Sequence, residues 1–204
     1  MNLAACAGLR RTPENSVWYR AIQPSYLQTA LSSDHTRMEI SRFSPGKLLP
    51  SEQQYATLYF ADDPLVAQFE VGAVLGTLSP GGHVPHPRQT YVTLNVKVVL
   101  REVIDLTEIA TAQTSLGTNI QELTGDWQGY QLWSHLTPAQ EGTGLAPTQE
   151  LGMALFATGT EGVRSISAKV PWHKTLTIFT NNLRPGSSLT FSDPSGAIVH
   201  EIAA

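Results

Sequence analysis

The sequence predicts a single α+β domain with short, mostly antiparallel strands and few helices. Short segments rich in branched and aromatic residues recur along the chain, whereas only a few stretches have helix signals. Of the 204 residues, 41% are apolar and 15% are charged, below the roughly 25% charged residues of most soluble proteins, so the chain can bury a sizeable core. No apolar run reaches the about 18 residues that a membrane span needs, so we expect no membrane partner.

The first predicted elements are an arm and a strand. Residues 1–16 have little strand or helix pattern, so we expect an N-terminal arm, followed by the domain proper over 17–204. Residues 17–22 mix aromatic and branched side chains and end before Pro24, which is typical of a strand. The next stretch, 23–56, is polar and interrupted by proline and glycine, so we expect irregular structure there.

A second strand and a helix follow, and the helix contains an unusual carboxylate. Thr57–Ala61 has the pattern of a short strand, and Asp63 followed by Pro64 predicts the start of a helix over 64–75. On a helical wheel Glu70 falls on the same arc as apolar residues, which are Val66, Phe69, Ala73 and Val74. A carboxylate in such an arc is costly unless it is paired or hydrogen-bonded. The structural explanation would be a buried ion pair, for instance with Arg20.

The second half of the chain predicts one long strand, two helical segments and four shorter strands. Apolar and polar residues alternate over 92–100, the period-2 pattern of a half-buried strand. Residues 103–107 predict a strand end that turns into a helix capped by Asp105 or Thr107. Pro147–Ala157 predicts a helix closed by the glycine two residues later. Short strands are predicted at 163–167, 176–179, 189–191 and 197–202.

Charge and cysteine content exclude several classes of partner and site. The 13 Lys and Arg against 17 Asp and Glu give a formal charge of -4, so we expect no direct binding to nucleic acid. Cys6 is the one cysteine, which excludes an intramolecular disulfide and a cysteine-based zinc site, and we expect a free thiol on a loose arm. Residues 3–6 resemble a lipoprotein cleavage box, but only two residues precede them. We therefore expect a cytoplasmic protein.

The sequence contains none of the common hydrolase or nucleotide-binding motifs. There is no Gly-x-Ser-x-Gly elbow, no Walker loop and no Gly-x-Gly-x-x-Gly fingerprint after any predicted strand. His83 and His86 lie in the glycine- and proline-rich loop 79–90, where no third ligand is at useful spacing. We therefore expect no metal site.

Five residues remain as candidates for a functional site, namely Arg20, Arg42, Tyr59, Glu70 and Ser167. Taken singly, most have an ordinary structural explanation. Arg20 would pair with a structural carboxylate, and Arg42 would be solvated. Tyr59 would be a core residue, and Ser167 would be one of many strand serines. Only the whole set points to a function.

The order and spacing of these residues resemble those of a known family. The motifs are Trp18-Tyr19-Arg20, Arg42-Phe43 with Gly46, Leu58-Tyr59-Phe60 with Glu70 eleven residues after Tyr59, Val103-Ile104-Asp105-Leu106-Thr107, and Gly162-Val163 before Ser167-Ala168-Lys169. As a set they resemble the RES domain, which is named after an arginine, a glutamate and a serine. These map to Arg20, Glu70 and Ser167, over a stretch from about 17 to 183. Ser165 competes for the serine role, and the following Ala168-Lys169 favours Ser167.

This resemblance implies a fold, an activity and a partner. The fold would be similar to that of ADP-ribosyltransferases. The activity would be that of a toxin that cleaves the nicotinamide–ribose bond of NAD and depletes cellular NAD, neutralised by a cognate Xre-type antitoxin. A homodimer is also expected. The alternatives are a protein mono-ADP-ribosyltransferase, which some relatives resemble, and a non-catalytic nucleotide-binding module; water, phosphate or protein as acceptor stays open.

The chemistry of NAD cleavage suggests a role for each candidate. The nicotinamide ring of NAD is already cationic and leaves as a neutral molecule, so its departure needs no general acid. We expect Glu70 to stabilise the positive charge that develops on the ribose. Arg20 and Arg42 would clamp the diphosphate. Tyr59 would stack on the nicotinamide ring, and Ser167 would bind the ribose or orient Glu70. Arg20, Glu70 and Ser167 are thus the expected catalytic residues, with NAD as substrate.

Overall fold

A seven-stranded, mostly antiparallel sheet organises the computed structural model, which describes residues 1–108, 113–134 and 144–204. A separate two-stranded hairpin lies beside it. In chain order the strands are β1 (Arg11–Ile22), β2 (Thr57–Ala61), β3 (Val74–Gly76), β4 (His83–Pro85), β5 (Val92–Asp105), β6 (Gly162–Ile166), β7 (Lys174–Phe179), β8 (Ser188–Ser192) and β9 (Val199–Ala203). The hairpin consists of β3 and β4.

The large sheet nearly closes on itself. Its order is β1-β2-β7-β6-β5-β8-β9, and β1 also pairs with β5, from Arg11 opposite Ile104 to Ile22 opposite Val92. Only the β5–β6 pairing is parallel. In contrast to the long β1–β5 ladder, β1 pairs with β2 through a single position, Tyr19 opposite Ala61. We call the place where these two strands meet and diverge the seam.

Helices cover part of the sheet and its edges. They are α1 (Pro64–Glu70), α2 (Thr114–Leu116), α3 (Ile120–Thr124), α4 (Trp127–Ser134) and α5 (Pro147–Ala157). One apolar core lies between the strands, and includes Trp18, Val96 and Ile178. A second core packs α5 against the sheet, and includes Leu151 and Phe179. In the described part of the chain, no helix has the length and apolar character to cross a membrane.

Most predicted elements are confirmed. The fold is α+β with a mostly antiparallel sheet, Thr57–Ala61 is β2, and Pro147–Ala157 is α5. The alternation over 92–100 is also confirmed, since Leu94, Val96 and Val98 are buried. The shorter strands β6 to β9 begin and end within three residues of the predictions. The likeness to ADP-ribosyltransferases stays a prediction.

The N-terminal segment is more ordered than the sequence suggests. Strand β1 begins at Arg11, six residues before the predicted start, because the ladder with β5 tolerates Pro13 at a bulge between Thr12 and Glu14. The expectation of a loose arm is wrong for Cys6, whose side chain is 1% exposed within the core beside α5. The thiol is free, as expected, and burial raises its pKa.

The helix predicted over 64–75 is too long. Helix α1 begins as predicted, with Asp63 Oδ1 accepting the amide hydrogens of Leu65 and Val66, but it ends at Glu70. Gly72 then takes a φ of +70°, and the chain turns into strand β3. The pairing of β3 with β4, a contact that no local pattern reveals, therefore overrides the helical periodicity. Ala73 and Val74 do not share a helical face with Glu70.

The segment after the long strand is confirmed in part. Strand β5 continues to Asp105, whose Oδ1 accepts hydrogen bonds from the amide and hydroxyl of Thr107. The helix expected to follow falls partly on residues 109–112, outside the described residues. The glycine after α5, Gly159, has a φ of +74° and closes that helix as predicted.

A network of charged side chains joins the start of β1 to the end of β5 and to β6. Arg164 donates to both Glu14 and Asp105, and all three side chains are at most 17% exposed. Burial raises the pKa of Glu14, but the hydrogen bonds that its carboxylate accepts from Ser16 and Arg164 lower the pKa by more. The net pKa of Glu14 therefore lies below its ordinary value. The pKa of Asp105 is lowered in the same way, since bonds from Thr107 and Arg164 outweigh burial.

Removing this guanidinium should destabilise the fold in a pH-dependent way. We expect Arg164→Met to lower the free energy of unfolding at pH 7 by about 3 kcal/mol, because two largely buried carboxylates lose their partner. Both carboxylates have lowered pKa values in the folded state, so their stabilisation is complete above about pH 5 and is lost as the pH falls through those values. Urea denaturation at pH 7 and pH 3 measures the difference, which should shrink at pH 3.

The exposed residue Lys97, replaced by methionine, is the matched control and should leave the free energy of unfolding unchanged within about 0.5 kcal/mol. An equal loss for Arg164→Met at both pH values would show that lost packing, and not the charge, accounts for the destabilisation.

Candidate active site

A cleft opens at the seam between β1 and β2. Its volume is about 900 Å³, and it is lined by both strands, the end of α1, the β3 strand, the segment 124–128 between α3 and α4, and residues next to Ser167. We call it the seam cleft. The charged side chains on its lining are Arg20, Arg42, Glu70, Asp126 and Lys169. Four of the five predicted site residues therefore line the cleft itself, and the fifth, Ser167, contacts one of them.

Arg20 bridges the two strands where their main-chain pairing has stopped. Its Nη1 donates to the backbone oxygen of Tyr59 at 3.2 Å, and its guanidinium carbon lies 5.9 Å from the centre of the Phe60 ring. The Nε atom is buried and has no hydrogen-bond partner among the described residues. Burial lowers the pKa of Arg20 to about 10, which leaves the side chain charged at neutral pH.

The expected structural ion pair is not found. Among the described residues, neither Arg20 nor Glu70 forms a salt bridge with any partner. The explanation of Glu70 as half of a buried pair with Arg20 is therefore wrong. A largely buried guanidinium without a carboxylate partner retains its positive charge, so it can attract an anion into the cleft.

Ser167 holds the Glu70 carboxylate. Its Oγ donates to Glu70 Oε1 and accepts the amide hydrogens of Lys169, at 3.2 Å, and Val170, at 2.9 Å. Because a serine hydroxyl has one hydrogen, the two amides direct that hydrogen towards Glu70. Ser165 is bonded instead to Thr175, with 2.9 Å between the hydroxyl oxygens. Of the two candidate serines, Ser167 is thus the one that contacts Glu70.

Arg42 is tied to the opposite wall of the seam cleft. Its Nη1 donates to the backbone oxygens of Leu123, at 2.7 Å, and Gly125, at 3.2 Å. Burial lowers the pKa of Arg42, and the nearby charges of Glu70 and Asp126 partly offset that effect. The explanation of Arg42 as a freely solvated side chain is therefore wrong.

Tyr59 fixes the turn that carries Arg42. Its hydroxyl lies 2.7 Å from the Ser41 hydroxyl and accepts the amide hydrogen of Phe43 at 3.1 Å. Burial raises the pKa of Tyr59, so it stays protonated at neutral pH. Tyr59 lines the seam cleft, and its hydroxyl has a structural task that the sequence did not reveal. Stacking on nicotinamide stays a prediction.

Helix α5 supports the same turn from behind. Gln149 Nε2 donates to the backbone oxygen of Ser41 at 3.1 Å. At Gly152, an added Cβ would lie 2.1 Å from the backbone oxygen of Phe43, so only glycine allows this close approach. Sequence reasoning missed both residues. A glycine in the middle of a helical pattern was the one available signal of close packing.

The histidines of the β3–β4 hairpin do not form a metal centre in the structure. The described residues contain no group of three or more His, Cys, Asp or Glu side chains placed to hold a metal ion. The His83 ring instead meets the Phe69 ring edge-on, with 6.1 Å between their centres.

The seam cleft thus combines cations with one positioned carboxylate. Arg20, Arg42 and Lys169 favour an anionic ligand, and Glu70, held by Ser167, can stabilise positive charge that develops on the same ligand. A ligand suited to both features carries negative charge at one point and acquires positive charge at another during reaction.

Comparisons with known proteins give the fold and the family of this chain. The chain matches, over 98% of its length and 91% of the other chain, a solved structure titled as the crystal structure of the M. tuberculosis MbcT–MbcA toxin–antitoxin complex. The TM-score is 0.63 and the sequence identity is 18%, so the likeness concerns the fold. No curated protein matches the sequence. A family model described as the RES domain matches residues 17–196, and the chain therefore belongs to the RES domain family.

Proposed function

We propose that this protein is a toxin that cleaves the nicotinamide–ribose bond of NAD. The observation that carries the proposal is the seam cleft. On its lining lie the guanidinium of Arg20, which forms no salt bridge among the described residues, and the carboxylate of Glu70, which is held by Ser167. NAD carries two negative charges on its diphosphate and a positive charge on its nicotinamide ring. It therefore has the charge distribution that such a cleft favours.

The carboxylate matches the needs of this reaction. When the bond between ribose C1 and the nicotinamide nitrogen breaks, the bonding electrons go to the nitrogen and nicotinamide leaves as a neutral molecule. The ribose carbon then acquires oxocarbenium character, and an acceptor oxygen forms the new bond. Glu70 needs only to hold the ribose and to face the developing charge, and it binds that state more tightly than the ground state.

The arginines match the diphosphate. A guanidinium fork bonds phosphate oxygens and stays charged at any physiological pH, and both Arg20 and Arg42 line the seam cleft. Lys169, also on the lining, adds a third cation. Together they hold the dinucleotide while the carboxylate acts at the ribose.

The toxin part of the proposal rests on the family and on the fold. A RES domain covers most of the chain, and a chain of similar fold occurs in the toxin–antitoxin complex named above. We therefore propose a cognate antitoxin of the Xre type as the partner. Loss of NAD would be the reason that the free protein harms a cell.

The first test is the role of the carboxylate. We expect purified Glu70→Gln to bind NAD with a dissociation constant within about threefold of the wild type but to release nicotinamide at least about 100-fold more slowly, because the amide cannot stabilise the oxocarbenium charge. Nicotinamide release, followed by chromatography, gives the rate, and calorimetric titration gives the affinity. Arg20→Ala should lose affinity as well as turnover.

The exposed carboxylate Glu201 on β9, replaced by glutamine, is the matched control and should have wild-type turnover. Full turnover by Glu70→Gln would contradict the role proposed for Glu70. No release by any form, at high enzyme concentration, would favour a binding module. Labelled protein instead of free ADP-ribose, after incubation with NAD and lysate, would favour a transferase.

The second test separates the ring of Tyr59 from its hydroxyl. Tyr59→Phe keeps the aromatic face but removes both hydrogen bonds to the turn of Arg42. Each such bond contributes about 0.5–1.5 kcal/mol, so we expect the KM for NAD to rise about 3-fold to 10-fold as Arg42 loses its position. Steady-state kinetics measure this change, with the exposed Tyr26→Phe as the control. An unchanged KM would leave stacking as the sole role of Tyr59.

The third test concerns toxicity. We expect induced expression of the wild-type chain alone to lower cellular NAD and stop growth, whereas Glu70→Gln, made in equal amount, should do neither. Co-expression of an Xre-like protein encoded beside it should restore growth and co-purify with the chain. Growth arrest with unchanged NAD would contradict NAD depletion, and harmless expression of an active enzyme would contradict the toxin assignment.

A further inference from the structure

We propose that the wall of the seam cleft formed by residues 124–128 binds the adenosine half of the dinucleotide, with Trp127 stacking on adenine and Asp126 selecting against a phosphate on the adenosine ribose. This proposal rests on the function proposed above, because it names the part of the substrate that this wall recognises. It concerns a separate region of the cleft from Glu70 and Ser167.

The wall is a built turn. It connects α3 to α4, and Asp126 Oδ1 accepts the amide hydrogens of Gln128, at 3.1 Å, and Gly129, at 2.9 Å, so it caps α4. Arg42 fixes the other end through the backbone oxygens of Leu123 and Gly125. The first residue of α4, Trp127, therefore has a defined place on the cleft lining.

Trp127 is the aromatic side chain available on this side of the cleft. The rings of Phe43, Phe60 and Phe69, which also line the cleft, are buried in the cores, with at most 8% of each residue exposed. The other two lining aromatics are tyrosines of the seam itself, on β1 and β2. Trp127 is half-buried, and its indole offers a wide face for a flat base. Stacking on an aromatic side chain is a usual way for proteins to hold a base.

Arg42 connects the two parts of the cleft lining that the dinucleotide would contact. It donates to the backbone oxygen of Gly125, next to Asp126, and the charges of Glu70 and Asp126 both act against the lowering of its pKa by burial. In NAD the diphosphate lies between the nicotinamide ribose and the adenosine. With the nicotinamide ribose at Glu70 and the diphosphate at Arg42, the adenosine reaches Trp127.

The volume agrees with a ligand longer than one nucleotide. At about 900 Å³, the seam cleft lies near the upper end of the about 300–1,000 Å³ that is usual for small-molecule sites. Glu70 is assigned to the nicotinamide ribose and Arg42 to the diphosphate. The wall at 124–128 is then the part of the lining that remains for the adenosine.

Asp126 gives the wall a preference between two dinucleotides. A carboxylate near the adenosine ribose accepts a hydrogen bond from a free 2′-hydroxyl and repels a 2′-phosphate. The nearest lining cation, Arg42, already donates to two backbone oxygens of the same turn. The wall therefore favours NAD over NADP.

The test compares substrates that differ only at the adenosine end. Nicotinamide release is measured with NAD, with nicotinamide mononucleotide and with NADP. We expect Trp127→Ala to raise the KM for NAD about 10-fold and to leave the KM for the mononucleotide unchanged within about 2-fold, because the mononucleotide lacks the adenine that would stack on Trp127. Asp126→Asn, which keeps the helix cap, should raise kcat/KM for NADP about 5-fold. It should lower kcat/KM for NAD by about 2-fold to 3-fold, because a neutral amide oxygen accepts a weaker hydrogen bond from the 2′-hydroxyl than a carboxylate does.

Trp172→Ala is the matched control, since this tryptophan is 86% exposed and outside the cleft lining, and it should behave as the wild type with all three substrates. Equal losses on NAD and the mononucleotide for Trp127→Ala would overturn the proposal, because the wall would then only support Arg42. Unchanged kinetics on NAD would overturn it too.

If the wild type cleaves neither NAD nor the mononucleotide, the proposed function is contradicted. The adenosine subsite must then be tested by a binding measurement. In that case calorimetric titration with ADP-ribose decides. Binding weakened about 10-fold by Trp127→Ala supports the adenosine subsite, and equal binding by both forms overturns it.

Discussion

The site depends on the incomplete pairing of β1 with β2. These strands share one paired position, Tyr19 with Ala61, although both continue in the sheet through β5 and β7. A buried backbone oxygen without a hydrogen-bond partner is costly. The side chain of Arg20 donates a hydrogen bond to the backbone oxygen of Tyr59 and so avoids this cost. A complete ladder would leave no cleft at the seam and no need for this bond. The geometry of the candidate site therefore follows from a place where the main-chain pairing of the sheet is incomplete.

The carboxylate reaches the seam because α1 is short. The helix begins at Pro64, shortly after β2, with Asp63 as its cap, and it ends at Glu70, where the chain turns away into β3. The loop after β6 supplies Ser167, whose own amide donates to the backbone oxygen of His173 at 2.8 Å. Two elements distant in sequence thus fix one oxygen of Glu70, which is the preorganisation that electrostatic catalysis requires.

Local patterns predicted most of the elements and the members of the site, but not their environment. The wheel argument singled out Glu70, although its reason was partly wrong, since Ala73 and Val74 belong to a turn and a strand. The roles of Tyr59 and Arg42 were also incomplete, because their bonds join Ser41 to β2 and the 41–46 turn to α3, 81 residues further along the chain. Such contacts depend on tertiary packing, which periodicity and spacing do not encode.

The partners of the arginines explain how a chain with a net negative charge can bind an anion. Among the described residues, Arg11, Arg164 and Arg184 contact carboxylates, so their charge is neutralised within the fold. Arg20 and Arg42 are held by backbone oxygens instead. A carbonyl orients a guanidinium without cancelling its charge. Burial in a medium of low dielectric constant then strengthens the attraction between this charge and an anion. Arg20 and Arg42 therefore keep their positive charge at the seam, although the chain as a whole has a formal charge of -4.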